Sequence, residues 1–343
     1  MIRNHLLVAL RNIKKRKSFA LINVFGLTVG MTVCMLILTY ARYEMSYDSF
    51  HPRAKDIYRV TVDMYTGGAF QASDAQCYPA AGKMAVNEFP EIEDYAMARN
   101  IGRILFKNGD QAFNEDRVYI ANPGWLKVFD WQMISGDRET ALNEPEKLIL
   151  TESSAKKYFG DEEPVGQMMT VVLGDSDVLM KVSGVVKDVP ENAHLKFDIL
   201  ISYETGIQYF NWTYDNWNGN NEFMYLLSKG APLDASFAER FNKSYDTKVD
   251  QDADEILVIQ PVTDIHLLSD KTFEADVNGS EATFNILLIV AGFVLIIAWV
   301  NYINLATAKA LERGKEFGVR KVLGSSRRAL LLQFLTESFL INL

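Results

Sequence analysis

The sequence predicts a membrane protein in which transmembrane α-helices flank a large α+β domain on the exoplasmic side. Residues 18–41 and residues 282–308 are strongly apolar stretches of 24 and 27 residues without a charged side chain. A helix of about 20 apolar residues crosses a bilayer, so each stretch is long enough to span. The 240 residues between them mix strand-like and helix-like patterns separated by turn residues, which predicts a folded α+β domain.

Basic residues on the outer flanks of the two stretches orient the chain. Residues 1–17 carry six Lys/Arg and no Asp/Glu, and residues 309–343 carry seven Lys/Arg against three Asp/Glu. Short basic flanks stay in the cytoplasm, so residues 42–281 are predicted to lie outside it. This middle region has a net charge of −19, which argues against a nucleic-acid partner because nucleic-acid-binding proteins show a basic footprint.

The first 17 residues are predicted to form a cytoplasmic amphipathic helix in the plane of the membrane. Ile2, Leu6, Leu10 and Ile13 recur at helical spacing, and basic residues occupy other positions around the wheel. An ordinary basic stop before the span would explain the charges but not this apolar stripe. The following apolar stretch is much longer than the core of a signal peptide, so we expect residues 18–41 to be an uncleaved anchor and transmembrane helix 1.

Small and polar residues inside the two spans are candidates for helix–helix packing. Gly26 and Gly30 form a GxxxG pattern in the first span, and glycines four apart let two helix backbones approach closely. In the second span, residues 282–308, Asn301 and Asn304 lie three apart on one face and are expected to hydrogen-bond to neighbouring helices or backbone.

The C-terminal part is predicted to contain a connector and the start of another span. Residues 309–328 read as a basic, largely helical cytoplasmic connector, with a helix stop at Gly324. Residues 329–343 are predicted to begin transmembrane helix 3 from the cytoplasmic side. Because about 15 residues are too few to cross a bilayer, we expect the sequence to be a fragment of a longer polypeptide.

The exoplasmic region, residues 42–281, is predicted to be an α+β domain of two subdomains, because 240 residues exceed the usual size of one core. The predicted strands are residues 57–64, 118–121, 147–150, 168–173, 180–186, 197–202, 222–227 and 255–262. The predicted helices are residues 80–89, 153–158 and 233–249.

No catalytic or metal-binding pattern stands out in the sequence. The two cysteines, Cys34 and Cys77, are predicted to lie at different depths and not to pair, and the four histidines are scattered. No Gly-rich phosphate loop, GxSxG elbow or HExxH motif is present. The aromatic residues within positions 209–217 could line a ligand cleft or form a packed edge of the core.

Three segments together resemble the FtsX-like and MacB-like permeases of ABC transporters. The first is residues 3–30, a basic in-plane helix running into a glycine-bearing span. The second comprises residues 118–125 (VYIANPGW), 150–160 (LTESSAKKYFG) and 182–190 (VSGVVKDVP), which are similar to a MacB-like periplasmic core domain. The third is residues 313–326 (RGKEFGVRKVLGSS), which resembles the Arg-x-x-Glu-Ile-Gly-Ile-Arg-Lys-Ala-Leu-Gly-Ala-Ser connector of the family, with Phe317 in place of the commoner Ile.

The resemblance implies a permease subunit of the bacterial inner membrane that performs no catalysis itself. A cytoplasmic ABC ATPase, binding ATP and Mg²⁺, would drive motion of the spans that reaches the periplasmic domain, a process called mechanotransmission. No cofactor is expected in this chain. The implied partners are that ATPase, a second permease copy or half, the lipid bilayer, and periplasmic or outer-membrane proteins. The residues matching the family connector, expected to dock the ATPase, are Arg313, Glu316, Phe317, Gly318, Arg320, Lys321, Leu323 and Gly324.

Two other classes of protein share part of this pattern. A two-span sensory receptor has the same topology, but a third membrane helix about 20 residues after the second leaves no room for a cytoplasmic signalling module. A membrane-anchored exoplasmic enzyme would require a nucleophile or metal constellation, and the sequence shows neither. Both alternatives are therefore secondary to the permease.

Overall fold

The computed structural model describes residues 17–249 and 254–322, and the chain divides into two compact units. The helical unit comprises the residues up to Arg42 and those from Glu281 onward, and the globular unit comprises Tyr43–Ser280. The predicted in-plane helix, the helix stop at Gly324, residue Leu323 and the third span lie outside the described residues.

The helical unit contains two long helices. Helix α1 spans Lys17–Glu44 and helix α8 spans Glu281–Val322, with 28 and 42 residues. Among the described residues, Phe25–Glu44 and Glu281–Asn304 are long and apolar enough to cross a membrane. Helix α8 continues without a break past residue 308, so the described part of the predicted connector extends the same helix.

Small residues lie between α1 and α8. A Cβ atom added to Gly30 would fall 2.9 Å from Ala298 Cβ, and one added to Gly26 would fall 3.0 Å from Asn301 Nδ2. Glycine at these two positions therefore lets α1 and α8 approach each other more closely than a larger side chain would permit. Asn304 is exposed in this structure.

We predict that Gly30→Leu lowers the thermal stability of the detergent-solubilised chain, because the added side chain meets Ala298. Overpacking of this kind costs about 1–3 kcal/mol. The control is Gly292→Leu in α8, where an added Cβ meets no atom within 4 Å. Equal shifts of the melting temperature in the two variants would show that the close approach at Gly30 does not matter.

The globular unit is built from strands and short helices between Tyr43 and Ser280. Its strands are β1 (Ile57–Thr66), β2 (Ala69–Asp74), β3 (Ile92–Asn100), β4 (Ile104–Asn108), β5 (Gln111–Glu115), β6 (Val118–Ala121), β7 (Met133–Gly136), β8 (Lys147–Thr151), β9 (Met168–Leu173), β10 (Ser176–Val186), β11 (Ile199–Ser202), β12 (Phe223–Ser228) and β13 (Glu255–Pro261). Its helices are α2 (Pro79–Glu88), α3 (Gly124–Val128), α4 (Glu152–Phe159), α5 (Tyr203–Phe210), α6 (Ala235–Tyr245) and α7 (Ile265–Leu268).

Within the described residues the strands form one mixed sheet. Its order is β13-β1-β12-β3-β6-β11-β8-β10-β9-β4-β5, with β2 beside β1 and β7 beside β10. The pairs β6/β11 and β8/β10 are parallel, whereas the remaining pairs are antiparallel. The α+β class predicted from the sequence is confirmed.

Both faces of the sheet are buried, and the side chains of β12 show how. Met224 and Leu226 join a core cluster with helices α2, α4 and α6, while Phe223, Tyr225 and Leu227 join a second cluster with helices α3 and α7. Successive side chains of a strand point to opposite faces, so a fully apolar run such as FMYLL is typical of a strand covered on both sides.

Capping side chains define the N-termini of α4 and α6. The Thr151 hydroxyl accepts a hydrogen bond from Ser154 N at the start of α4, and the Asp234 carboxylate accepts from Ser236 N and Phe237 N at the start of α6. Thr and Asp are favoured N-caps because they satisfy backbone donors that the first helical turn leaves free.

The expected division of the exoplasmic region into two subdomains stays a prediction. Residues 43–280 form one compact unit, and one sheet runs through it. At one end of this sheet, β1 to β3 lie with β12 and β13, and the rest of the sheet is made of β4 to β11. The strands β4 to β11 are therefore contiguous both in the chain and in the sheet.

Candidate functional site where the chain enters and leaves the globular unit

The globular unit is joined to α1 at one end and to α8 at the other, and buried polar side chains gather where these two connections are made. We call residues 44–53 the incoming segment and residues 262–280 the outgoing segment. The incoming segment is a series of turns, with hydrogen bonds from Ser46 N to Tyr43 O, Ser49 N to Ser46 O and His51 N to Asp48 O. Polar residues of the incoming and outgoing segments contact each other and residues of the sheet.

The first contact joins the incoming segment directly to the outgoing segment. His266 Nε2 lies 2.8 Å from Glu44 Oε2, and both residues are buried. The Tyr47 ring stacks on the His266 ring with centroids 3.3 Å apart. A Cβ added to Gly279 would lie 2.9 Å from both Glu44 Oε2 and His266 Nε2, so only glycine fits beside this pair. We call these four residues the junction contact.

A second contact ties the incoming segment to the centre of the sheet. Asp48 Oδ1 lies 2.8 Å from His194 Nδ1, and His194 Nε2 lies 2.6 Å from the Tyr225 hydroxyl on β12. Burial raises the pKa of Tyr225 well above its ordinary value, so its hydroxyl stays protonated and can donate to Nε2. An imidazole protonated on Nδ1 then donates to Asp48 and satisfies both bonds.

The backbone of the incoming segment is adapted to this contact. Asp48 has a φ of 56°, in the left-handed region that Asp adopts more readily than most residues. Its backbone N–H donates to Asn192 O, and its carboxylate also accepts from His194 N. Close by, His51 Nδ1 donates to Phe129 O at 3.0 Å, and burial lowers the pKa of His51 to about 4, so this ring is neutral at pH 7.

A third contact ties the outgoing segment to the sheet through a buried ion pair. The Arg59 guanidinium on β1 is 0 % exposed and donates to both carboxylate oxygens of Glu274, at 2.5 and 2.9 Å. It also donates to Ser269 Oγ and to Gln260 Oε1. Burial alone would raise the pKa of Glu274, but the hydrogen bond and charge of Arg59 outweigh it and lower the pKa.

The second and third contacts reach the sheet at the same place. Arg59 on β1 and Tyr225 on β12 are direct partners across the two antiparallel strands. The incoming segment reaches Tyr225 through His194, and the outgoing segment reaches Arg59 through Glu274. The two connections of the globular unit are therefore fixed to each other and to one pair of residues inside the sheet.

The chemistry of this cluster is that of a structural polar network. The Tyr225–His194–Asp48 chain has the order of groups found in proton-transfer sites, but Tyr225 and Asp48 are both 0 % exposed, so a substrate cannot reach them. Within residues 17–249 and 254–322, no group of three or more His, Cys, Asp or Glu side chains is arranged to hold a metal ion.

The residues predicted from the sequence as the ATPase-coupling site lie elsewhere. Arg313, Glu316, Phe317, Gly318, Arg320 and Lys321 are all in the C-terminal third of α8. Gly318 is exposed and an added Cβ would meet no atom within 4 Å of it among the described residues. Leu323 and Gly324 lie outside the described residues.

Of the aromatic residues within positions 209–217, three belong to an edge of the core, whereas Tyr209 and Phe210 are exposed. Trp212, Tyr214 and Trp217 are partly buried against the first core cluster. Trp212 also packs on Phe210 and under the Arg99 guanidinium, 4.4 Å from its ring centre.

Sequence reasoning missed the junction contact and the two contacts with the sheet. Asp48 and His194 are 146 positions apart, and Glu44 and His266 are 222 apart. A single sequence carries no signal for such pairs. In the structure His51, His194 and His266 are all buried here, and each has a carboxylate oxygen within 4.0 Å.

Comparison with known families agrees with this architecture. The family described as MacB-like periplasmic core domain matches residues 20–239, and the family described as FtsX-like permease C-terminal matches residues 288–343. The chain therefore belongs to the MacB-like and FtsX-like family of ABC transporter permeases.

Individual relatives are distant. The chain is 24% identical over 196 residues to the macrolide export ATP-binding/permease protein MacB of Bdellovibrio bacteriovorus, which covers 57% of this chain and 28% of that protein. It is 20% identical to the uncharacterized ABC transporter permease YvrN of Bacillus subtilis, over 98% of this chain and 83% of that protein. The chain thus spans well under half the length of the first relative and most of the second.

A solved structure supports the fold of the globular unit. A domain of a putative permease protein from Porphyromonas gingivalis superposes with a TM-score of 0.53 at 20% identity, covering 62% of this chain and 92% of that domain. At this identity the similarity shows the fold alone.

We predict that Arg59→Met destabilises the chain by about 3–5 kcal/mol at neutral pH, because it leaves the Glu274 carboxylate buried without a cation. The measurement is denaturant unfolding of the full chain in detergent. The control is Arg103→Met: Arg103 pairs with Asp116 at the surface, where solvent screens the ion pair and its loss should leave the stability nearly unchanged.

The same ion pair predicts a pH dependence. The pKa of Glu274 in the folded chain is below its ordinary value of 4.5. Its contribution to the free energy of unfolding is therefore fully present above pH 4.5 and is lost as the pH falls through the lowered pKa. The difference in free energy of unfolding between wild type and Arg59→Met should therefore become smaller at acidic pH. A difference that stays constant from neutral to acidic pH would contradict this assignment.

Proposed function

We propose that the chain is the permease subunit of an inner-membrane ABC transporter, in which ATP hydrolysis by a cytoplasmic ATPase moves a periplasmic globular unit. The chain itself performs no catalysis in this proposal, and ATP and Mg²⁺ bind the partner ATPase. The membership in the ABC permease family supports the class of protein. The coupling by mechanotransmission is our inference from the geometry.

The junction contact is the observation that carries the proposal. A domain connected to the membrane by two independent flexible linkers would not follow the motion of its helices. Here the incoming segment is bonded to the outgoing segment through Glu44 and His266, and each segment is bonded to the sheet. Displacement of either connection would therefore act on β1 and β12 rather than be absorbed by a loop.

The docking site for the ATPase is proposed to be the C-terminal third of α8. Glu316 and Arg320 are four positions apart in a continuous helix, so the two positions lie on one face, one turn apart. The neighbouring positions Arg313, Phe317, Gly318 and Lys321, with Leu323 and Gly324 beyond, complete the pattern shared with the family. The basic residues also serve topology, but topology does not require this ordered pattern.

The remaining partners are also proposals. We expect a second permease copy or half, the lipid bilayer, and periplasmic or outer-membrane proteins. Macrolide export is in the name of several relatives, and the substrate of this chain is left unnamed. The family assignment favours a permease over the two-span sensory receptor.

We predict that Glu316→Ala and Arg320→Ala in the full-length protein strongly reduce recovery of the ATPase in co-purification, because they remove polar groups from the docking face. Lys315→Ala is the matched control, since it removes one positive charge at a position that the family pattern leaves free. Equal ATPase recovery in all three variants would rule out the docking role.

We predict that His266→Phe separates ATPase binding from motion of the globular unit, because it keeps a ring against Tyr47 but removes the hydrogen bond to Glu44. The measurement is hydrogen exchange of the full-length transporter with and without ATP and vanadate. Wild type should show a nucleotide-dependent change in the incoming and outgoing segments, and His266→Phe should lose most of it while binding the ATPase normally.

Tyr209→Phe is the control for this experiment, because it removes a single surface hydrogen bond, to Glu146. The change in exchange should persist in that variant. A full nucleotide-dependent change in His266→Phe would exclude the junction contact as the coupling element.

A further inference from the structure

Three large apolar side chains of the globular unit are exposed beside the junction contact. Met45 is 67 %, Leu268 53 % and Val277 88 % exposed. Met45 directly follows Glu44, Leu268 lies two residues after His266, and Val277 lies two residues before Gly279. Single exposed apolar residues are common on protein surfaces, but these three adjoin one point of the fold. We call them the apolar rim.

The length of α1 places this rim relative to a bilayer. Helix α1 has 28 residues, which at 1.5 Å per residue gives a length of about 42 Å. A bilayer is about 30 Å thick in its hydrocarbon core and about 40–45 Å with its head groups. Lys17, the last basic residue before the apolar stretch, and Glu44, the last residue of the helix, are therefore separated by about the full thickness of one membrane. Met45 then follows at the head-group surface.

Helix α8 gives the same result from the other connection. The distance along the helix from Glu281 to Lys309, the first basic residue after the apolar stretch, is about 42 Å. Val277 is four residues before Glu281 in the chain. With Lys309 at the cytoplasmic surface, the exoplasmic end of α8 therefore lies at the outer head-group layer.

The residues around the rim suit an interfacial position. Tyr40 and Tyr43 lie in the last turns of α1, and tyrosine is enriched at the membrane–water interface. The rim itself carries no charge, while residues 42–281 carry a net charge of −19. Attraction to anionic head groups therefore cannot supply the contact, whereas insertion of apolar side chains can.

We propose that Met45, Leu268 and Val277 form a lipid-contact surface that lies in the outer head-group layer and seats the globular unit on the membrane. Such a surface would limit the unit to motions that slide along or tilt against the lipid. The proposal does not depend on the identity of the ATPase or on the coupling route proposed above.

Lipid-side fluorescence quenching tests the proposal. Single variants Met45→Cys, Leu268→Cys and Val277→Cys of the full chain are labelled with bimane and reconstituted in phosphatidylethanolamine–phosphatidylglycerol nanodiscs that contain head-group spin-labelled phosphatidylcholine. The chain's own Cys34 and Cys77 are buried, and the wild-type chain labelled in the same way gives the background.

Leu179→Cys is the matched control. Leu179 is 54 % exposed, nearly the same as Leu268, but lies on β10 seven residues before Val186, which is about 23 Å along a strand. Beyond Val186 the chain returns to the incoming segment, where Asn192 Nδ2 donates to Ser46 O. Leu179 therefore lies far from the rim.

We expect bimane at all three rim positions to be quenched severalfold more strongly than bimane at Leu179→Cys, and the difference to vanish in detergent without spin-labelled lipid. Quenching at any rim position that is no stronger than at Leu179→Cys would overturn the proposal. This includes the case in which a second copy of the chain covers the rim, because the lipid quencher would then be kept away. Unchanged melting temperatures of the variants would verify that they fold.

Discussion

A buried positive charge on the sheet is the constraint on which the arrangement of the globular unit depends. The Arg59 guanidinium has no access to solvent, and the free energy of leaving such a charge unpaired is several kcal/mol. Glu274 must therefore remain paired with Arg59, and this holds the outgoing segment against the sheet. Since Arg59 faces Tyr225 across the strand pair, the same requirement extends to His194 and the incoming segment.

The sheet gives this constraint a rigid support. Strands β1 and β12 are covered on both faces, and their neighbours come from opposite ends of the chain. A close-packed interior of this kind moves as a block because its side chains have few alternative arrangements. A force applied at the two connections would consequently reorient the unit as a whole.

The sequence predicted the parts of this architecture that repeat a simple local pattern. The two spans, the class of the fold and strands such as Val118–Ala121 and Met168–Leu173 follow from apolar length or from runs of β-branched residues. Strand β5 was missed because its residues, such as Gln111 and Asn114, are polar and because it lies at the edge of the sheet. The two residues that connect β4 to β5, Gly109 and Asp110, were the available hairpin signal.

The candidate site could not be predicted in the same way, and the reason is geometric. Whether His194 meets Asp48 depends on the order of strands in the sheet, and the hydrophobic pattern of one sequence does not determine that order.

The unbroken course of α8 has a mechanical consequence. The helix from Glu281 to Val322 is about 63 Å long, so a tilt of only about 5° displaces one end by about 5 Å relative to the other. Small angular changes at its basic end would thus become large displacements at the other end.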